Sequence, residues 1–207
     1  MVITDIKKNK NAAGYAVFGD GEFLFSLDGE TVILRGLKKG DEITEEEAAE
    51  LLYESYYHKA KEKALRLLER RAHSKAEIVR KLSENYPKEV SKAVAERLSE
   101  IGLINDLEFS RVFSRELFEI KNFGVSRIKT ELFKRGIKRD IIDEVLEEYS
   151  EASGVEKIVS LIERRKLDLT DEKVRRRAFA RFMREGYSSD DIKCAFEANL
   201  NGQGFYD

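Results

Sequence analysis

Apolar and polar positions change period once along the chain. Up to about residue 43 the pattern is short and extended. Val2 to Ile6 reads as a strand. Tyr15 to Phe18, the turn Gly19-Asp20-Gly21, and Phe23 to Leu27 read as a hairpin, because β-favouring residues flank glycines that permit positive φ. Thr31 to Leu34 reads as a further strand after Asp28-Gly29, and Lys39-Gly40-Asp41 as a third turn. At Thr44 the spacing becomes helical. Thr44 with Glu47 makes a capping box, and Glu45, Glu46 and Glu47 fill the first turn, where the helix dipole favours negative charge. From there to about Ala72 there is neither glycine nor proline, which predicts one long helix or two meeting near His58.

Beyond Lys59 the pattern is helical throughout, and it repeats at an offset of about fifty residues. Leu82, Leu132 and Phe182 occupy equivalent places, with Ile78, Ile128 and Ala178 four residues earlier. Val90, Ile142 and Ile192 follow, then Val94, Leu146 and Phe196. Each copy holds three helices: about 59–71, 75–85 and 88–101; then 106–121, 125–135 and 139–149; then 154–166, 171–184 and 189–199. Ser74 with Glu77 forms a capping box, Thr170 and Ser188 are credible caps, and Gly102, Gly124, Gly136 and Gly186 sit where helices should end. Stripes at helical spacing predict the core: Ala64, Leu67 and Leu68, with Arg71 leaving it; Val90, Val94, Leu98 and Ile101; Phe109, Phe113, Leu117 and Ile120. The fold class expected is mainly α: three tandem three-helix repeats in an elongated array, preceded by a small N-terminal β-hairpin segment. The expected divisions are a β segment at 1–43, a connecting helix at 44–58, and repeats at 59–104, 105–150 and 151–207.

Composition narrows the class. The 207 residues are 42% hydrophobic, enough for a core, and 38% charged, as expected when many helices each expose a solvated face. The single cysteine, Cys194, excludes an internal disulfide framework and a cysteine zinc cluster. No signal-peptide pattern and no apolar run of membrane-spanning length is present, so a cytoplasmic protein away from the membrane is expected. The net charge of −2 conceals an asymmetry: residues 1–58 hold 6 Lys/Arg and 12 Asp/Glu, while the remainder holds 32 and 28. An acidic front part thus precedes a mildly basic body, which suggests surfaces with different partners.

Catalysis finds little support. His58 and His73 lie apart on helical segments, no nucleophile motif or phosphate loop is visible, and Glu45-Glu46-Glu47 point in different directions around a helix. No catalytic residue, metal site or cofactor is expected. Basic pairs at helical spacing are more informative: Arg66 and Arg70, Arg111 and Arg115, and the ridge Lys173, Arg177, Arg181 with Arg184. Either something acidic meets them, or ion pairs such as Glu62–Arg66, Glu108–Arg111 and Arg115–Glu119 account for them. Tyr56, Tyr57, Phe118 and Phe123 could stack on nucleic-acid bases, although packing between helices explains them more simply.

Several motifs then stand in a specific order. Ala64-Leu65, Leu68, Arg70-Arg71, His73-Ser74, Glu77 and Leu82 fall in the first repeat. Gly102-Leu103-Ile104-Asn105-Asp106 with Glu108-Phe109 and Arg111 join it to the second, which holds Gly124, Arg127-Ile128, Glu131-Leu132 and Arg135-Gly136-Ile137. In these the chain resembles the RecX family of bacterial regulators of the recombinase RecA. Asn105 stands where the family often has an acidic residue, and the third repeat lacks a counterpart of the joint. The resemblance implies a binding protein, not an enzyme, acting in DNA repair and homologous recombination under the SOS response. Such a protein lies in the helical groove of the RecA–DNA filament and inhibits extension, ATP hydrolysis and strand exchange. A monomer is expected, with single- or double-stranded DNA as a further partner; the alternative is a general DNA-binding protein acting without RecA. The contact residues expected for RecA or DNA are Arg70, Arg71, Arg80 and Lys81 in the first repeat and Arg111, Arg115, Arg127 and Lys134 in the second.

Overall fold

A computed structural model describes residues 1–9, 14–149 and 151–203. Among these residues the chain forms three strands and ten helices, grouped into two compact units, Met1–Ile104 and Asn105–Asp207.

The first unit opens with an antiparallel sheet in the order β1-β2-β3, formed by Ile3–Lys8, Tyr15–Gly19 and Glu22–Leu27. Asp20 and Gly21 both take positive φ between β2 and β3, as a two-residue type I′ turn requires. One face of the sheet buries Ile3, Val17, Phe25 and Leu27. The stretch from Gly29 to Leu34 is a short helix, α1, where an extended strand was expected. Thr31, Val32 and Ile33 favour strands, but Asp28 accepts hydrogen bonds from the Glu30 and Thr31 amides and caps a helix start there.

The next helix, α2, spans Glu45–Arg70 without a break at His58. Thr44 and Glu47 make the reciprocal capping box at its start. At 26 residues it is about 39 Å long, and it serves two cores. Its first half puts Ala48 and Leu51 against the sheet. Its second half puts Ala60 and Ala64 against α3 (Lys75–Leu82) and α4 (Lys88–Glu100), where Ile78, Leu82, Val90, Val94 and Leu98 are buried. Ile101 lies outside that core at 48% exposure, because the chain leaves the helix there and turns through Gly102 at positive φ.

The second unit repeats the three-helix plan twice. Helices α5 (Asp106–Glu119), α6 (Val125–Lys134) and α7 (Arg139–Glu147) enclose Phe109, Leu117, Phe118, Ile128, Leu132 and Ile142. Helices α8 (Glu151–Arg164), α9 (Glu172–Glu185) and α10 (Ser189–Gln203) enclose Ile158, Leu161, Ile162, Phe182, Ile192 and Phe196. Leu82, Leu132 and Phe182, the anchors of the sequence period, are each fully buried. Ile120 is not core: it caps α5 at 68% exposure.

The two three-helix groups of this unit meet backbone to backbone. The Gly124 amide donates to the Glu185 carbonyl at 2.8 Å, and the Ser126 amide donates to the Gly186 carbonyl at 3.2 Å. Gly186 ends α9 in the left-handed conformation, as expected. Gly124 instead precedes α6 at an ordinary φ of −76°. The left-handed position after α5 belongs to Asn122. Two caps also differ from expectation. Asp171, rather than Thr170, accepts from the first amides of α9, while Thr170 turns back to Asp168. Ser188 does accept from the Asp191 amide at the start of α10.

Candidate functional site

The eight expected contact residues divide by what already holds them. Arg71 follows α2, and its guanidinium donates to the Ala72 carbonyl at 2.8 Å and to Glu77 at 3.3 Å. Glu77 is buried at the start of α3, beside buried His73 and Ser74. Its Oε2 lies 3.2 Å from His73 Nδ1, so the neutral imidazole must carry its proton there and donate to the carboxylate. Burial pushes the His73 pKa below its ordinary value, Arg71 adds to this, and Glu77 opposes it without prevailing. Arg71, itself half-exposed, thus braces the buried His73–Ser74–Glu77 knot at the α2–α3 corner.

Arg111, on α5, donates to Glu144 and Glu148 of α7, each at 3.0 Å. The expected partner was Glu108 on its own helix. Arg127 pairs with Glu131 at 3.2 Å and lies over the Phe123 ring at 5.4 Å. Lys134 shares Glu131 at 3.0 Å. The other four make no ion pair among the described residues. Arg70 ends α2, Arg80 and Lys81 lie in the last turn of α3, and Arg115 projects from α5. Arg70, Arg80 and Arg115 are exposed, and Lys81 is half-buried. Arg115 does not meet Glu119, which pairs with Lys157 at 2.7 Å. The Glu62–Arg66 pair is present at 3.4 Å.

The candidates therefore fall on the two units separately, with different electrical character. Arg70 at the end of α2, and Arg80 and Lys81 at the end of α3, are uncompensated positive charges on the first unit. Arg115 is an uncompensated charge on the second, beside Arg111 whose charge is answered by α7. Exposed guanidinium groups without partners suit carboxylate or phosphate, which they bind through two parallel hydrogen bonds. The aromatic candidates serve packing: Tyr56 and Tyr57 lie against the first repeat's core, and Phe118 and Phe123 against the second's.

One cluster was missed in the sequence. His58 Nδ1 lies 3.5 Å from Asp28 and 3.9 Å from Glu30. Ligand atoms of these three side chains lie within 4.8 Å of one another. Burial pushes the Asp28 carboxyl up, but hydrogen bonds from Thr31 and Ser55 outweigh it and hold the pKa below its usual value. The capping duty of Asp28 accounts for this geometry. No short-range spacing could have revealed the cluster, since 27 residues separate Asp28 and Thr31 from their respective partners Ser55 and His58. Among the described residues no helix is long and apolar enough to cross a membrane.

Comparisons with known proteins agree with this framework. Models of three RecX regions match: the N-terminal domain of regulatory protein RecX at residues 1–44, the first three-helix domain at 60–98 and the second at 105–146. Regulatory protein RecX of Caldanaerobacter subterraneus subsp. tengcongensis is 32% identical over 168 residues, covering 80% of this chain and 85% of its own. The RecX of Clostridioides difficile is 28% identical over 204 residues, covering 97% and 96% respectively. Among solved structures, a crystal structure of regulatory protein RecX superposes with a TM-score of 0.69 at 22% identity, covering 95% of this chain and 98% of that one. The structure of RecX from Lactobacillus salivarius gives 0.62 at 23% identity, covering 70% and 96%. Sheet, long helix and three-helix groups, together with these matches, place the chain in the RecX family of regulatory proteins.

Proposed function

We propose that this protein regulates RecA by binding the RecA–DNA filament, with the filament's helical groove as its seat, and by inhibiting extension, ATP hydrolysis and strand exchange. It acts in the cytoplasm as a monomer and needs no cofactor of its own. Membership of the RecX family supports RecA as the partner. The observation that carries a binding role is the uncompensated set Arg70, Arg80, Lys81 and Arg115, held on rigid helices. Such groups meet an acidic protein surface or a phosphate without first breaking an internal pair.

The test is RecA-catalysed ATP hydrolysis and filament length, with stoichiometric protein added to growing and to preformed filaments. Inhibition is expected in the growing case, weakened by glutamate at Arg70, Arg80 and Arg115 together. Unchanged hydrolysis and filament length would overturn the proposal. Steep salt dependence of binding to naked DNA, with no effect on RecA, would point instead to direct DNA binding, in which phosphate neutralisation releases counterions.

A further inference from the structure

We propose that the groove between α9 and α10 is a docking site for an acidic peptide segment carrying one aromatic or aliphatic anchor. This site is separate from the proposed RecA contacts, since the groove contains none of Arg70, Arg80, Lys81 and Arg115.

The groove has a volume of about 400 Å³, within the range of sites that seat a large side chain or small ligand. Its floor is apolar, made by Phe179, Phe196 and Leu200. Phe179 and Leu200 are half-buried against the core, and the Phe179 and Phe196 rings meet edge to face at 6.4 Å. Its rim carries three cations, Arg175, Arg176 and Lys193, against two carboxylates, Glu172 and Glu197, a net positive balance. Neither arginine makes an ion pair among the described residues. Lys193 has only a 3.7 Å contact to Asp190, itself 92% exposed, which leaves its charge available.

Helix α9 carries further positive charge on faces away from the groove. Lys173, Arg177 and Arg184 are also exposed and unpaired among the described residues, whereas Arg181 shares Glu185 with Arg165. Of its three consecutive arginines, Arg175 and Arg176 border the groove and Arg177 points elsewhere around the helix, with no acidic residue between Glu172 and Glu185. Arg175 and Arg176, unpaired at the groove, are thus open to negative charge from elsewhere.

Two features favour a peptide over a nucleic-acid strand. Phe196 is only 6% exposed and Phe179 is half-buried, so the floor offers at most one partly open ring, where stacking along a strand uses successive rings. Glu172 and Glu197 also border the groove and repel any anion placed against them, which a backbone charged at every phosphate cannot avoid and a peptide with spaced carboxylates can. A peptide places its carboxylates at intervals beside the arginines and inserts its anchor between the two helices.

The test uses the full chain and a fluorescein-labelled synthetic peptide, Glu-Asp-Phe-Asp-Glu, with a control carrying serine in place of phenylalanine. Fluorescence anisotropy is expected to show the phenylalanine peptide binding at least roughly tenfold tighter, the range expected for burying one aromatic side chain. The double variant Arg175→Glu with Arg176→Glu is expected to lose roughly tenfold or more in affinity while its circular dichroism and melting stay unchanged, since both residues are exposed and unpaired. A dye on Cys194, the chain's single cysteine and exposed beside Lys193, is expected to respond to the phenylalanine peptide at roughly tenfold lower concentration than to the control. Equal binding of the two peptides, unaltered affinity of the double variant, or no binding up to about 1 mM, the weakest affinity of interest, would each overturn the proposal. Tighter binding of an oligothymidylate that the double variant abolishes would assign the groove to nucleic acid and overturn it equally.

Discussion

Replacing Gly124 by alanine would drive a methyl group into the backbone of the neighbouring three-helix group. The φ of Gly124 is −76°, which alanine adopts freely, so any penalty is steric rather than conformational. The added Cβ would stand 2.4 Å from the Gly186 carbonyl carbon and oxygen and 2.5 Å from the Tyr187 nitrogen. These are main-chain atoms at the end of α9 and cannot rotate aside, so the two groups must move apart. Separation strains the Gly124-to-Glu185 and Ser126-to-Gly186 amide hydrogen bonds, and the Tyr187 hydroxyl that donates to the Asn122 carbonyl at 3.2 Å. Overpacking costs about 1–3 kcal/mol, and each of the three bonds contributes about 0.5–1.5 kcal/mol if lost. With partial relaxation, the expected destabilisation is about 2–5 kcal/mol. Gly102→Ala is the contrasting case. Its φ is +77°, but nothing lies within 4 Å of the added Cβ, so only the left-handed penalty of about 1–2 kcal/mol applies. Urea unfolding gives both costs, and amide hydrogen exchange locates them. Gly124→Ala should speed exchange at Gly124, Ser126 and Tyr187, and Gly102→Ala should leave those amides alone. A cost for Gly124→Ala no larger than that for Gly102→Ala, or unchanged protection at those amides, would refute the steric reasoning.

The buried knot at the α2–α3 corner should be sensitive to charge: Glu77→Gln is expected to lower stability by about 2–4 kcal/mol in urea unfolding, since it leaves Arg71, His73 and the Ser74 amide without a shared carboxylate. His73 has a lowered folded-state pKa, so the unfolded chain binds the proton more readily; stability should fall as pH drops below about 6.5, the ordinary histidine value, and His73→Asn should flatten that dependence in melts from pH 8 to 5. Tyr187→Phe removes a buried hydroxyl donor and should cost about 1 kcal/mol in the same unfolding assay. Arg115→Glu should reduce inhibition of RecA ATP hydrolysis with no change in melting temperature, whereas Arg111→Glu, which faces Glu144 and Glu148, should lower both.

The helical body was readable because each repeat obeys local rules. The period through Leu82, Leu132 and Phe182 marks three fully buried anchors, and the Ser74–Glu77 box is formed as its residues imply. The misreadings have physical causes of two kinds. At Thr31 to Leu34, β-branched residues suggested a strand, but the Asp28 cap and packing on α2 select a helix. At Ile101 and Ile120, helical spacing continued into the cap residues, where the side chain no longer faces the core. The role of Gly124 was beyond local reading. A glycine before a helix looks like a terminator, and only the approach of Gly186, 62 residues later in the chain, shows why a side chain is excluded there. The α2 helix shows the same limit for divisions. Its smooth pattern is local, but Tyr56 and Tyr57 pack on the three-helix core while Leu51 packs on the sheet core. A cut after residue 58 therefore removes part of the first repeat along with the front segment.

Charge was the least readable property, and the reason bears on function. Arg111 and Arg115 are one helical turn apart and look equivalent in sequence. Arg111 faces α7, whose Glu144 and Glu148 answer it, and Arg115 faces solvent. A partner recruiting Arg111 must compete with two carboxylates, so part of the new interaction replaces an existing one. A partner meeting Arg115, Arg70 or Arg80 replaces only water, and its gain is screened by salt but not offset by a broken pair. The uncompensated groups should therefore dominate the salt-sensitive part of binding, and the compensated ones should report mainly on folding. Charge reversal across all eight residues at once would mix the two effects. The contrast between Arg115→Glu and Arg111→Glu separates them on a single helix, where the backbone, the solvent and the distance to any partner are nearly the same.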